Sequence, residues 1–98
     1  MGKADDIIHQ ALRLRIMAAL HAARREEGID FSRLKALTGA TDGNLGSHLG
    51  TLEAAGYVAV AKDFVGKKPR TRASITREGE RAFREHREYL REVIESGG

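Results

Sequence analysis

Residues 41–60 have the sequence TDGNLGSHLGTLEAAGYVAV, in which a helical pattern changes to an alternating one. Thr41 is a suitable N-cap, Gly56 is a suitable terminator, and the leucines between them recur at i, i+4 and i+7. This spacing predicts a helix over 42–55. Residues 57–65 then alternate and are rich in valine and aromatic side chains, which is typical of a strand. The inward leucines are Leu45, Leu49 and Leu52.

A shorter helix is predicted just before this one. It covers residues 32–38, with Ser32 or Asp30 as its N-cap, and it ends at Gly39. The three residues 29–31 are too few for a helix and are predicted to form a stub strand. Two short helices joined by a turn that contains glycine are typical of a helix-turn-helix, whose second helix lies in the DNA major groove.

A basic β-hairpin is predicted to follow. Gly66 and Pro69 favour a turn between the strand at 57–65 and a second strand at 70–75. Residues 62–77 contain six Lys and Arg against one acid, although the whole chain has a net charge of only +3. Concentrated positive charge favours nucleic acid as the partner, and a solvated basic loop is the alternative.

Longer helices are predicted at both ends of the chain, over 5–25, ended by Gly28, and over 77–95, capped by Thr76. Their apolar positions exceed what one small core needs, and the last helix has the 3–4 spacing of a coiled-coil seam. We therefore predict a homodimer, the alternative being that the two helices pack only on each other. The predicted interface residues are Ile7, Ala11, Leu14, Phe83, His86, Leu90 and Val93.

Several segments together resemble the MarR/ArsR-like winged helix-turn-helix transcriptional regulators, in particular a compact single-domain subgroup. The similar segments are DGNLGSHL followed by LEAAGYV, FVGKKPRT, and ITREG, at residues 42–49, 52–58, 64–71 and 75–79. The resemblance implies a mainly α fold with a small β-hairpin, dimerised through its terminal helices on a roughly palindromic operator. Gly46 and Gly50 depart from it, because relatives carry Ser, Lys or Arg at such outward positions.

Two groups of side chains are predicted to contact DNA. The predicted recognition helix offers hydroxyl, amide, carboxylate and imidazole groups, which suit base edges, and the hairpin offers cations for phosphates. Ordinary solvent exposure is the alternative for each residue. The recognition-helix candidates are Thr41, Asp42, Asn44, Ser47, His48 and Thr51, with Thr41 more a cap than a reader. The wing candidates are Lys62, Lys67, Lys68, Arg70 and Arg72.

Other classes of protein find little support in the sequence. With no cysteine, the chain has no disulfide or thiol chemistry. Its four histidines lack the spacing of a metal site, and no motif of an enzyme or a cofactor is present, so we expect no metal, no cofactor and no catalysis. The apolar stretches are shorter than the ~20 residues of a membrane span, and the N-terminus does not resemble a signal peptide. We expect one cytoplasmic domain over residues 1–98.

The sequence therefore predicts a sequence-specific regulator that binds double-stranded DNA as a homodimer and acts as a repressor. A winged helix that binds another protein is the main alternative, and structured RNA is a third possible partner. Activation instead of repression, the operator sequence and an effector ligand are left open at this stage.

Overall fold

A computed structural model describes residues 2–97, and Met1 and Gly98 lie outside the described part. The order of elements is helix, short strand, two helices, hairpin and final helix, which confirms the predicted winged helix. The three strands form one antiparallel sheet in the order β1-β3-β2. The elements are α1 (Ala11–Ala22), β1 (Ile29–Asp30), α2 (Phe31–Thr38), α3 (Asp42–Ala54), β2 (Val58–Val65), β3 (Lys68–Ile75) and α4 (Arg77–Glu95).

One apolar core holds α3 in place. The three predicted leucines of α3 are buried against α1 and α2, and each is at most 4% exposed. Because they occupy one side of the helix, the opposite side of α3 is left in solvent. The buried partners include Ile16, Met17 and Leu20 of α1 and Leu34 of α2.

Helix α1 is shorter than the predicted helix over 5–25. The carboxylate of Asp5 accepts the backbone N–H groups of Ile7 and Ile8 at 2.9 and 3.0 Å, which closes a separate turn. The helix begins only after Gln10, whose side chain caps it by accepting the N–H of Arg13 at 2.9 Å. Side-chain hydrogen bonding by Asp competes with helical pairing, and periodicity does not reveal this competition.

The predicted role of Gly28 as the helix terminator is wrong. Helix α1 ends at Ala22, and its C-cap is Ala23, five positions before Gly28 in the sequence. Gly28 has a φ of 115°, and a β-carbon there would lie 3.0 Å from the carbonyl oxygen of Ala73 in β3. Its glycine is therefore explained by the close passage of the chain over the sheet.

The predicted dimer surface is only partly accessible. Phe83 and His86 are 6% and 0% exposed within the single chain, so they belong to its own core. The helical spacing of these residues therefore marks the intramolecular face of α4 in this half of the helix. Leu90 is half-buried, and Val93 and Ile94 are exposed in the last turns. On the N-terminal side Ala11 is exposed, whereas Ile7 and Leu14 pack partly against the core.

His86 joins the N-terminal turn to α4. Its Nδ1 accepts the backbone N–H of Asp5 at 3.0 Å, and its Nε2 lies 3.4 Å from Nδ1 of His9. The carboxylate of Asp5 also accepts the hydroxyl of Tyr57 at 2.7 Å, and this bond is the main cause that raises the pKa of Tyr57 to about 12. Because a backbone N–H donates to it, Nδ1 of the buried His86 ring acts as an acceptor.

Acidification should destabilise the fold through His86. Burial, and then the neighbouring His9, lower its pKa below the usual 6.5, so the unfolded chain binds the extra proton more readily. The contribution of neutral His86 to the free energy of unfolding is complete above about pH 6.5. It is lost as the pH falls through that value and then through the lower pKa of His86 in the folded protein. We expect the urea concentration at the midpoint of unfolding to be lower at pH 5 than at pH 8.

The variant His86→Gln isolates this contribution. It should be less stable than the parent at pH 8 and should lose less stability on going to pH 5. Burial also lowers the pKa of His21, so His21 adds a loss of stability on acidification that is common to both proteins. Identical pH dependence of the urea midpoint in parent and variant would contradict the assignment to His86.

Candidate nucleic-acid interface

The two helices of the helix-turn-helix are joined by a tight turn. Helix α2 ends on Gly39, which adopts a left-handed φ of 72°, and its N-cap is Asp30, one of the two predicted caps. Thr41 then caps α3 by accepting the N–H of Asn44 at 3.2 Å. Lys35 of α2 pairs with Asp42 at 2.9 Å, so this predicted DNA contact already has an ionic partner.

The centre of the exposed side of α3 consists largely of glycines and so carries few side chains. At about 100° per residue, Gly43, Ser47 and Ala54 point most directly away from the leucines, and Gly50 lies next to them. A β-carbon on Gly43, Gly46 or Gly50 would meet no atom within 4 Å among the described residues, so packing does not require these glycines. The result is a low surface, here called the glycine ridge, which consists of Gly43, Gly46 and Gly50 around Ser47. Its lack of side chains allows a partner to approach the helix backbone closely, and Ser47 is its central polar side chain.

The other predicted contacts of α3 flank this ridge. Asn44 and Thr51 are exposed, whereas His48 is half-buried toward α1. Asn44 and His48 line one groove of about 520 Å³ together with residues that begin α1. On the opposite side, Gly46 and Gly50 line a second groove of about 290 Å³ with Lys62 of β2. The recognition helix therefore adjoins the wing through its glycine side.

His48 has a partner that the sequence did not reveal. The Nε–H of Arg13 in α1 donates to Nδ1 of His48 at 3.0 Å, and the same guanidinium donates to the carbonyl of Ile7 at 3.2 Å. These residues are 35 positions apart in sequence, and no local pattern connects them. The contact fixes the ring of His48 at the edge of the exposed face.

The wing is a regular hairpin with cations at its tip. Strands β2 and β3 pair from Val58 opposite Ile75 to Val65 opposite Lys68, and Gly66 supplies the turn with a φ of 64°. Lys67 and Lys68 are exposed, and no acid in residues 2–97 forms an ion pair with either. They remain available to a polyanion.

The two predicted wing arginines are held by an acid on the neighbouring strand. Asp63 accepts Nε and Nη2 of Arg70 at 2.9 and 2.8 Å, and it also accepts Nη2 of Arg72 at 2.9 Å. The hydrogen bond from Arg70 is the main cause that lowers the pKa of Asp63 to about 2. Arg72 also lies 3.6 Å from Glu27, so it offers less unshared charge than its exposure suggests.

The site thus combines a polar helix face with a cationic hairpin. It has donors and acceptors for base edges and cations for phosphates, which are the two classes of contact in protein–DNA interfaces. Over the described range 2–97, no three His, Asp or Glu side chains converge on a possible metal position. None of the helices between residues 2 and 97 combines the length and the hydrophobicity that a membrane span requires.

Comparisons with known proteins agree with this geometry. A family model described as the winged helix DNA-binding domain matches residues 12–94. The chain is 33% identical over 89 residues to an uncharacterised protein of Methanocaldococcus jannaschii, a match that covers 91% of this chain and 90% of that protein.

Solved structures give the same result. A transcriptional regulator homologue from Pyrococcus horikoshii OT3 is similar with a TM-score of 0.82 and 32% identity, over 92% of this chain and 86% of that one. A PadR family transcriptional regulator from Eggerthella lenta DSM 2243 is similar with a TM-score of 0.69 and 27% identity, over 89% of this chain and 84% of that one.

Proposed function

Because the chain belongs to the winged helix DNA-binding domain family, we propose that it is a transcriptional regulator that binds double-stranded DNA sequence-specifically. The observation that carries the proposal is the juxtaposition of the exposed face of α3 with the hairpin that bears Lys67 and Lys68. In this arrangement α3 enters the major groove and the wing follows the adjacent backbone. Most of the affinity then comes from the wing, since α3 has no Lys or Arg.

Two features support reading by α3. Asn44 and Ser47 present hydrogen-bonding groups in solvent, and the glycine ridge lets the helix backbone come close to base edges. Thr41 acts as a cap, and Asp42 contributes mainly to the start of the helix, where an acid is favourable. Thr51 lies beside Ser47 on the same side, where it suits a phosphate or a base.

The finer proposal is a MarR/ArsR-like homodimer that represses transcription by occupying a promoter in the cytoplasm. The fold alone does not distinguish the subfamily, because a PadR family regulator shares it. The subfamily proposal therefore rests on the similar segments at 42–49, 52–58, 64–71 and 75–79. The dimer rests on the exposed end of α4, where Val93 and Ile94 are 37% and 75% exposed. A second copy would place a second recognition helix on a second DNA half-site. The added contacts would compensate for the lack of Lys and Arg in α3.

A second candidate function is protein binding through the wing. Phe64 and Val65 are 70% and 57% exposed beside the lysine tip, and large apolar side chains in solvent favour a protein partner. The DNA proposal accommodates them, because apolar wing residues can also contact a groove wall.

Selection of bound sequences from random double-stranded DNA, together with the mass of the free and bound protein, tests the proposal. We expect enrichment of a roughly palindromic motif whose half-sites are about one helical turn apart, bound by a protein dimer. Affinity should fall steeply with salt, by about 0.9 in log–log slope for each phosphate contacted. Absence of any DNA binding at about 50 mM salt would reject DNA as the partner and favour the protein-binding alternative.

A further inference from the structure

Arg13 lies outside the helix-turn-helix and the wing, yet its guanidinium is directed at the recognition helix. It donates from Nε to Nδ1 of His48 at 3.0 Å and from Nη1 to the carbonyl of Ile7 at 3.2 Å. The second bond ties the guanidinium to the N-terminal turn. Arg13 is therefore fixed through Nη1 while its Nε orients the ring of His48.

The chemistry of this bond determines which nitrogen of His48 carries the proton. A guanidinium is a donor only and keeps its protons in proteins, so the Nδ1 that it contacts must be the unprotonated acceptor. The neutral ring then carries its proton on Nε2. Since Nδ1 is directed at α1, the Nε2–H group is the part of the ring left for an external partner.

We propose that Arg13 is a positioning residue that presents His48 as a hydrogen-bond donor, so that His48 selects an acceptor on the major-groove edge of a base pair. Guanine is the best match because both its N7 and its O6 accept. Cytosine is the poorest match, since its N4 amino group also donates. This inference rests on the proposed function and adds to it a specificity determinant in α1.

The alternative role of Arg13 is that of a phosphate-binding cation. A phosphate contact would weaken binding to all sequences equally and would reduce the salt dependence. A positioning role predicts a change at one base position of the selected motif. The exposed Arg15, two residues further along α1, provides a matched control for base preference. It carries the same charge and lines the same groove as His48, but among residues 2–97 the hydrogen bond to His48 comes from Arg13. A phosphate contact by Arg15 would change the affinity for all sequences and leave the base preference unchanged.

The test compares Arg13→Met with Arg15→Met by selection from random DNA, because methionine keeps the aliphatic stem and removes the donor. We expect the parent to prefer guanine at one position of each half-site and Arg13→Met to lose about tenfold of that preference, which is within the range for one base contact. Arg15→Met should keep the preference.

A second measurement follows the ring itself. In the parent, ¹⁵N NMR of the His48 ring should show a protonated Nε2 and an unprotonated Nδ1, and Arg13→Met should show a mixture of tautomers. A parent with a protonated Nδ1, or an Arg13→Met protein with unchanged base preference, would overturn the inference while DNA binding stands. A parent that binds no DNA would overturn the proposed function and the base contact together, whatever the tautomer.

Discussion

Replacing Lys67, Lys68 and Arg70 together with alanine should weaken binding to double-stranded DNA by roughly 10²-fold at about 0.1 M salt. The two lysines are unpaired within residues 2–97, so each should contribute a full phosphate contact. Arg70 shares its charge with Asp63 and should contribute less. The log–log salt slope should therefore decrease by about 2 instead of the 2.7 or so that three unpaired cations would give. Fluorescence anisotropy from 50 to 200 mM salt measures both quantities.

Two controls separate the wing from net charge. The variant that replaces Arg77, Arg81 and Arg84 of α4 with alanine removes the same formal charge from another exposed surface, and it should retain most of the affinity. Asp63→Asn should act in the opposite direction, because it releases Arg70 and Arg72 for phosphates and steepens the salt dependence. An equal loss of affinity in both triple variants would contradict the wing as the main source of binding.

The sequence was sufficient for the architecture because each element carries a local signal. The leucine spacing of α3, its cap and its following glycine are all contained in residues 41–56, and the valine-rich alternation gives β2 directly. The position of the wing cations on the hairpin follows from the same local signals. Whether these cations and the helix residues contact DNA stays a prediction.

The pairings across the fold could not be predicted, because they depend on register and tertiary packing. Asp63 neutralises Arg70 only because a hairpin turn at Gly66 sets those two residues opposite each other. The same holds for Arg13 and His48, which meet only after α1 packs on α3. Phe83 showed the correct helical period, but periodicity does not distinguish a face that covers the core from one that meets a partner.

Gly79→Ala should destabilise the fold by about 2 kcal/mol, within the range for overpacked sites. Gly79 lies in the first turn of α4, and a β-carbon there would overlap the carbonyl oxygen of Tyr57 and lie 2.8 Å from its carbonyl carbon. That carbonyl cannot move freely, since it accepts the N–H of Thr76 at 3.1 Å. The start of α4 must therefore shift outward, and the melting temperature should fall by about 10 °C.

Gly50→Ala is the matched control, because it makes the same chemical change inside another helix where the new methyl group meets no described atom within 4 Å. It should stabilise the protein by about 0.5–1 kcal/mol, the ordinary gain of alanine over glycine in a helix interior. Opposite signs in the two variants, measured by thermal unfolding, would show that Gly79 is required by contact and Gly50 is not. A stable Gly79→Ala protein would mean that α4 packs less closely on Tyr57 than the structure shows. A destabilised Gly50→Ala protein would mean that α3 is constrained by something other than its own packing.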